Sequence, residues 1–262
     1  MNVGVACLTT ILFYYVSLAN SYEYCSKETK LCMGNTKRHI VCDKEQITPD
    51  SVYQKHYPMT DLLRNWILYW HNYHRNEVAC GKAEGSQGKL PPAMQMRELA
   101  WDYELEYVAS VHAGRCKMQH DQCRNTERIP ISGQNLAYHS TTGIPRKALE
   151  HAQKSIYNWF KECKDVPESI IKEFAKIDSP VKIGHFTVLA NDRVGRVGCA
   201  MTFCTGFPNK GEKWYYNHIT CNYDYTNVPG YYVYKIGKAG NCKYFDVERS
   251  SNFSCLCEKS FS

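Results

Sequence analysis

The 262-residue sequence lacks the strings that mark several common enzyme and binding classes. It contains no Gly-x-Ser-x-Gly, no His-Glu-x-x-His and no glycine-rich phosphate loop, so nothing in it indicates a serine hydrolase, a zincin or a P-loop protein. Paired Cys-x-x-Cys strings are also missing, which argues against structural zinc sites built on such pairs. The absence of any Gly-Asp dipeptide excludes an Arg-Gly-Asp integrin motif.

Charged side chains are absent from residues 1–21, and residues 2–19 form an apolar stretch. This stretch, with small residues at Ala19 and Ser21, predicts a signal peptide cleaved after one of those two, although no Lys or Arg precedes it. A membrane anchor is the alternative. It is disfavoured because the run barely reaches the span of about 20 residues that a bilayer requires, and no basic stop-transfer cluster follows. We therefore expect a secreted, extracellular protein.

Cysteine, in contrast, is abundant. The sequence holds 14 cysteines, and 13 remain once Cys7 is removed with the predicted leader. Export combined with many irregularly spaced cysteines predicts disulfides. Because 13 is odd, at least one thiol must be free or must bridge to a partner chain. An oxidising compartment also disfavours a resting catalytic thiol paired with one of the ten histidines.

The length and net charge of the chain limit the number of domains and the kinds of partner that it can have. About 240 residues follow the predicted leader, which suits one domain with a real hydrophobic core. The formal net charge of +6 lies wholly beyond residue 21 and favours anionic surfaces such as membranes or sulfated sugars. It is too small to indicate a nucleic-acid partner. The 20 tyrosines suit either an extracellular binding surface or a core in which the rings are buried and the hydroxyl groups find hydrogen-bond partners.

Apolar periodicity predicts helices early in the chain and strands later. The predicted helices cover residues 60–79, 96–115, 146–163 and 167–177. Thr60 is a plausible N-cap for the first and Pro167 opens the last. Period-two alternation predicts strands over 196–204 and 213–223, joined by a loop near 207–213. This order indicates an α+β layered domain.

The two ends of the mature chain have less regular patterns. Residues 22–58 are predicted to form an irregular, cysteine-bearing arm, whose basic segment 33–41 suits a solvated loop better than a receptor-facing finger. Residues 224–262 are turn-rich and also carry cysteines. Within them, Asn252-Phe253-Ser254 is a sequon for N-glycosylation at Asn252.

Seven strings occur in the order of the signature blocks of a known family. They are HNYHR at 71–75, LAWDYEL at 99–105, CKMQHDQCRN at 116–125, SGQNLA at 132–137, GHFTVL at 184–189, VGCA at 197–200 and CNY at 221–223. The chain resembles the CAP superfamily, which unites cysteine-rich secretory proteins, antigen 5 and pathogenesis-related 1 proteins. The third string and the start at Tyr24-Cys25 look like the insect antigen 5 branch of venoms and saliva.

The resemblance implies a fold and a domain plan. CAP proteins form an α-β-α sandwich, with a central, mainly antiparallel sheet between helical layers. The implied plan is a signal peptide at 1–21, an arm at 22–58, a CAP core at 59–235 and a cysteine-bearing tail at 236–262. The implied disulfides are Cys25–Cys42, Cys32–Cys123 and Cys199–Cys221. Cys116 lacks its usual partner in the arm. Candidate partners are Cys80 or Cys163 for Cys116, and Cys255 or Cys257 for Cys242.

CAP proteins also have a central cleft with two His and two Glu, which bind zinc in some members. By motif these positions fall on His120, Gln134, Glu162 and His185. Gln134 stands where many members have Glu, and an amide offers a divalent metal only a weak carbonyl oxygen. We therefore expect His120, His185 and Glu162 to hold zinc weakly or not at all. The alternative is a hydrogen-bonded polar cluster without metal.

Two functions follow as expectations. The first is a secreted, non-enzymatic effector or allergen of insect saliva or venom, a monomer or a disulfide-linked dimer. It would bind a host receptor or a small hydrophobic ligand, since members of the family bind sterols, fatty acids or eicosanoids in apolar grooves. The second is a metal-dependent hydrolase or redox enzyme that uses the His120/His185 cleft. It is disfavoured because Gln134 leaves Glu162 as the lone acid or base, and no nucleophile is evident.

Overall fold

The computed structural model of the chain describes residues 24–34, 36–175, 181–206, 211–242 and 247–259. The predicted signal peptide therefore lies outside the described residues. The α-helices are α1 (Glu28–Leu31), α2 (Asp61–Ala79), α3 (Tyr103–Ala113), α4 (Ala148–Lys161), α5 (Glu168–Lys172) and α6 (Gly184–Leu189). The strands are β1 (Val52–His56), β2 (Glu84–Gly85), β3 (Gly88–Lys89), β4 (Ala100–Trp101), β5 (Gly133–Thr141), β6 (Arg196–Gly206), β7 (Trp214–Tyr223), β8 (Val247–Arg249) and β9 (Cys257–Lys259). Two short 3-10 helices cover Lys44–Gln46 and Glu162–Asp165.

A mainly antiparallel sheet occupies the centre, in the order β1-β6-β7-β5, with β4 pairing parallel to β6. Helices cover both of its faces. On one face, residues of α2 and α4 pack in a single cluster with Met201 and Ile219. On the other, Ala109 and Ala113 of α3 pack against Ala200. Because neighbouring strand residues point to opposite faces, these contacts define two helical layers. The predicted α+β sandwich is confirmed.

The long helix α2 forms where the periodicity predicts it. Thr60 caps it, and its hydroxyl oxygen accepts a hydrogen bond from the backbone N–H of Leu63 at 3.3 Å. Leu63, Ile67 and His71 are buried at successive four-residue intervals, so one stripe of the helix faces the core. Tyr69 and Tyr73 lie outside that stripe and are exposed. The aromatic residues of this helix therefore do not all belong to the core.

The second helix is shorter than predicted. A helix over 96–115 was expected, but α3 begins only after Asp102, whose carboxylate accepts hydrogen bonds from Glu104 N and Leu105 N. Residues 100–102 are extended instead, because the backbone N–H groups of Ala100 and Asp102 bond to Gly195 and Val197. The expected helix at 167–177 is likewise limited to α5, and residues 176 and 177 lie outside the described ranges.

Besides the short strands β2–β4, β8 and β9, two longer strands of the central sheet, β1 and β5, were not predicted from the sequence. Strand β5 lacks alternation because four consecutive residues, 133–136, are buried at its start. Strand β1 lies in the arm that was predicted to be irregular, and all five of its residues are exposed at the sheet edge. Neither pattern carries the period-two signal of a half-buried strand. The last part of the arm therefore belongs to the central sheet.

Six disulfides cross-link the chain. They are Cys25–Cys42, Cys32–Cys123, Cys80–Cys255, Cys116–Cys204, Cys199–Cys221 and Cys242–Cys257. The expected partners of Cys116 were wrong. It bonds to Cys204 because the end of α3 lies on β6, where Thr202 donates a hydrogen bond to Ala113 O. Among the described cysteines one thiol, Cys163, is free, and it is buried. No helix in the described ranges is long and apolar enough to cross a membrane.

Candidate functional site

The first half of the predicted cleft is formed by His120, in the loop after α3, and Gln134 on β5. His120 Nδ1 lies 2.7 Å from Gln134 Oε1. The Gln134 amide is oriented by its Nε2, which donates to Asp121 Oδ2 at 2.8 Å and to Asn222 Oδ1 at 3.1 Å. An amide oxygen can only accept, so His120 Nδ1 must carry the proton. Burial lowers the pKa of His120, and the hydrogen bond that His120 donates to Gln134 offsets only part of that effect. The imidazole is therefore neutral at pH 7.

The second half is formed by Glu162, just after α4, and His185 in the first turn of α6. His185 Nδ1 lies 2.6 Å from Glu162 Oε1. The other oxygen, Oε2, accepts the backbone N–H groups of His185 and Phe186, each at 3.0 Å. The indole of Trp159 stacks on the His185 ring with centroids 6.1 Å apart. Both oxygens of Glu162 thus accept hydrogen bonds, and Trp159 covers one face of the His185 ring.

A buried carboxylate behind the cleft was not predicted. Asp121 pairs with Arg124 at 2.9 Å and lies 3.9 Å from His112 Nε2. Burial opposes its ionisation, but the charges of Arg124 and His112 and the bond from Gln134 bring the pKa of Asp121 below its ordinary value. Asp121 therefore supplies negative charge close to the position where Gln134 lacks it. The only sequence signal was its place directly after His120.

Comparison with known proteins identifies the family. Residues 68–223 match the profile of the cysteine-rich secretory protein family, CAP. The chain belongs to the CAP family. It is 35% identical to venom allergen-1 of Aedes albopictus over 97% of this chain and 93% of that protein. It is 38% identical to the antigen 5 like allergen Cul n 1 of Culicoides nubeculosus, over 73% and 88% of the two chains.

The fold comparison agrees with the sequence comparison. The crystal structure of Na-ASP-1 superposes with a TM-score of 0.60 and 25% identity, over 79% of this chain. This chain spans half the length of that protein. The relatives are venom allergens and antigen 5 proteins of insects, which confirms the resemblance drawn from the seven strings. The molecule is an antigen 5-like CAP protein.

The donors of this CAP cleft do not fit zinc. The Nδ1 atom of each histidine faces a hydrogen-bond acceptor, and both oxygens of Glu162 accept N–H groups. The two Nε2 atoms are the ligand atoms that these hydrogen bonds leave fully free, whereas zinc sites use three or four protein ligands. Within the described ranges, no group of three or more His, Cys, Asp or Glu side chains has the spacing of a metal site. The four predicted residues form two hydrogen-bonded pairs instead.

A second concave site lies on the outer face of α2. It is a groove with a volume of about 570 Å³. Its walls are Asn65, Leu68, Tyr69, Asn72, Tyr73, Glu98, Asn252 and Phe253. The ring of Tyr69 lies 6.2 Å from that of Tyr73 and 6.1 Å from that of Phe253, and the two tyrosines remain 47% and 39% exposed. Sequence analysis predicted the helix that carries both tyrosines but gave no sign that Phe253 and Glu98 complete the groove, since they are far away in the chain.

Proposed function

We propose that this CAP protein is a secreted, non-enzymatic effector of insect saliva or venom that acts by binding. The kinship with insect venom allergens supports it, as do the six disulfides, which suit an oxidising compartment. A monomer is expected because the one free thiol among the described cysteines, Cys163, is buried. N-terminal sequencing of the secreted protein should begin at Asn20 or Tyr22. Membrane-held protein that begins with Met1 would refute the export proposal.

The finer part of the proposal is a small hydrophobic ligand in the groove on α2. The observation that carries it is the exposure of the Tyr69 and Tyr73 rings in a groove that also contains Phe253. Its volume lies within the range of about 300–1,000 Å³ that is typical of small-molecule sites. Burial of aromatic surface by an apolar ligand would be favourable by about 25 cal/mol per Å². Glu98 accepts hydrogen bonds, so we expect a hydroxyl-bearing ligand to bind more tightly than a carboxylate.

Isothermal titration calorimetry tests this proposal with a sterol, a fatty acid and an eicosanoid. At least one should bind, with a negative heat-capacity change from apolar burial. Tyr73→Ala should weaken binding about tenfold, because roughly 1.4 kcal/mol is lost with the ring. Tyr103→Ala is the matched control, since Tyr103 is also exposed but lies outside the groove. If no ligand binds, the effector acts through another surface, and the basic segment 33–41 becomes the next target for mutation.

The enzymatic alternative has less support from the cleft. Three of the roughly four lone-pair sites of the Glu162 carboxylate accept hydrogen bonds from α6, which makes Glu162 a weak candidate for a general base. His120 and His185 each present one ring nitrogen, and no nucleophile stands beside either in the hydrogen bonds of the described residues. His185→Ala should therefore leave any binding activity of the protein unchanged. Loss of a hydrolytic or redox activity in that variant would revive the enzyme hypothesis.

A further inference from the structure

The sequon Asn252-Phe253-Ser254 lies at the rim of the groove. It is the only Asn-x-Ser/Thr triplet in the sequence in which x is not Pro. Asn252 and Ser254 are exposed, at the tip of the turn that joins β8 and β9. Ser250 Oγ fixes the turn by accepting the backbone N–H groups of Asn252 at 3.1 Å and Phe253 at 2.9 Å. The acceptor asparagine thus sits on an ordered, accessible turn, which is where N-linked glycans occur.

The same asparagine is part of the groove wall. Asn252 lines the groove with Tyr69, Tyr73 and Phe253, and Glu98 is part of the same wall. The first sugar of a glycan would then start at the edge of the groove. A sugar ring attached there has the two tyrosine rings within reach as an apolar surface.

The chemistry of the groove suits a sugar ring. Aromatic side chains offer flat apolar faces against which the C–H face of a sugar can pack. The exposed Asn65 and the half-buried Glu98 provide an amide and a carboxylate for its hydroxyl groups. A small apolar molecule would use the aromatic walls alone. The mixture of aromatic walls with Asn and Glu therefore matches a saccharide at least as well as a lipid.

We infer that Asn252 carries an N-linked glycan whose first sugar packs against Tyr73 and Tyr69, so that the glycan and a hydrophobic ligand compete for the groove. In the modification, Asn252 Nδ2 loses one proton and bonds to the anomeric carbon of the first sugar. The lipid diphosphate of the oligosaccharide donor leaves. The inference rests on the proposed function in two respects, namely export through the secretory pathway and ligand binding in this groove.

The experiment uses the full chain expressed in insect cells, as wild type and as Ser254→Ala and Ser254→Thr. Ser254→Ala removes the sequon but keeps the Asn252 side chain at the groove wall, and Ser254→Thr restores the sequon. Protein in the medium reports export. Intact mass spectrometry should show one glycan on wild type and on Ser254→Thr, and none on Ser254→Ala. Secreted wild type without a glycan would overturn the inference but not the proposed export, whereas protein retained in the cells would contradict both.

Packing of the glycan is read from the melting temperature, Tm, independently of any ligand. Loss of the glycan in Ser254→Ala should lower Tm by about 2–4 °C, the shift expected when one packed contact is lost in a chain of this size. In a Tyr73→Ala background the same loss should change Tm by much less. In a Tyr103→Ala background it should change Tm as in wild type. If loss of the glycan changed Tm equally in wild type, Tyr73→Ala and Tyr103→Ala, the inference that the glycan packs on Tyr73 would be wrong.

Competition is tested with a dansylated fatty acid as the probe. Its affinity for Ser254→Ala should exceed its affinity for wild type at least several-fold, and Ser254→Thr should behave like wild type. Equal affinities for all three proteins would overturn the competition. If the probe binds to none of them, the ligand part of the proposed function fails. The mass and Tm measurements then still decide whether Asn252 carries a packed glycan.

Discussion

The cleft and the groove differ in how completely their side chains are partnered. In the cleft, His120, Gln134 and Asp121 bond to one another, and Glu162 accepts three N–H groups including the ring of His185. In the groove, Tyr69 and Tyr73 remain 47% and 39% exposed to solvent. Buried polar groups that satisfy one another leave little free energy for a ligand, whereas exposed apolar surface gains free energy when it is covered. The difference therefore supports a structural role for the cleft and the recognition role proposed above for the groove.

The largest expected effect is that of Asp121→Ala. The substitution leaves the half-buried Arg124 guanidinium and the Gln134 Nε2 without their buried partner. We expect the free energy of unfolding to fall by about 3–5 kcal/mol in denaturant titration with the disulfides intact. The control is Asp50→Ala, which breaks the exposed Asp50–Lys117 pair and should cost at most about 1 kcal/mol. Similar losses for the two variants would contradict the structural role assigned to the cleft.

Gln134→Glu should be the next most damaging change. The new carboxylate would face two acceptors, Asp121 Oδ2 and Asn222 Oδ1, which now receive N–H groups of the amide. Repulsion and the loss of both hydrogen bonds should cost about 2–3 kcal/mol of unfolding free energy. Adding Asp121→Asn should recover part of that loss, because the asparagine amide can donate to the new carboxylate. A neutral effect of Gln134→Glu would show that the amide is not required.

His74, a histidine of α2 outside the cleft, should make the free energy of unfolding depend on pH. His74 is 4% exposed and stacks on Phe160 with centroids 4.3 Å apart, and neither ring nitrogen has a hydrogen-bond partner. Burial lowers the pKa of His74 to about 4. The unfolded chain therefore binds the proton first as the pH falls below about 6.5, so this contribution to stability is present at pH 7 and lost on acidification.

His74→Phe should remove that pH dependence while keeping the stacked ring. The drop in unfolding free energy between pH 7 and pH 5 should shrink by about 2 kcal/mol relative to wild type. The control is Leu62→Phe, which introduces a ring at an exposed position of the same helix without removing a titratable group and should leave the pH dependence unchanged. An identical pH profile for His74→Phe and wild type would mean that His74 titrates normally in the folded protein.

A smaller effect is expected in the zinc affinity of the cleft, which zinc titration measures. Gln134→Glu should bind zinc about tenfold more tightly than wild type, because the metal would relieve the repulsion between Asp121 and the new carboxylate. Equal zinc affinity for the two proteins would contradict the argument from the charge at position 134.

The smallest expected effect on stability is that of Tyr69→Ala. Its ring is 47% exposed, so its loss should lower the free energy of unfolding by about 0.5 kcal/mol or less. The same variant should lose binding of an apolar ligand about tenfold. A stability loss above about 2 kcal/mol would place Tyr69 in the core and would remove the distinction between the two sites.

Much of this molecule was predictable because local signals agree with tertiary contacts. Thr60 was predicted to cap the first long helix, and it is the N-cap of α2. Cys199 and Cys221 were expected to form a disulfide, and they are direct cross-strand partners. The family motifs led to His120, Gln134, Glu162 and His185, and the structure shows how these pair. Asp121, Phe253 and the Cys116–Cys204 bond were not predicted. Each depends on contact between segments that are far apart in the chain or on burial that no local pattern reveals.

The Cys80–Cys255 disulfide determines how the groove can open. It joins the C-terminal end of α2 to the turn that carries Phe253, across a sequence separation of 175 residues. A terminal segment held only by side-chain packing would fray and take one wall of the groove with it. With the disulfide in place, the two walls can shift relative to each other but cannot separate. Reduction of this disulfide would remove the covalent link between the two walls, so the affinity of the proposed ligand should fall in a reducing solution.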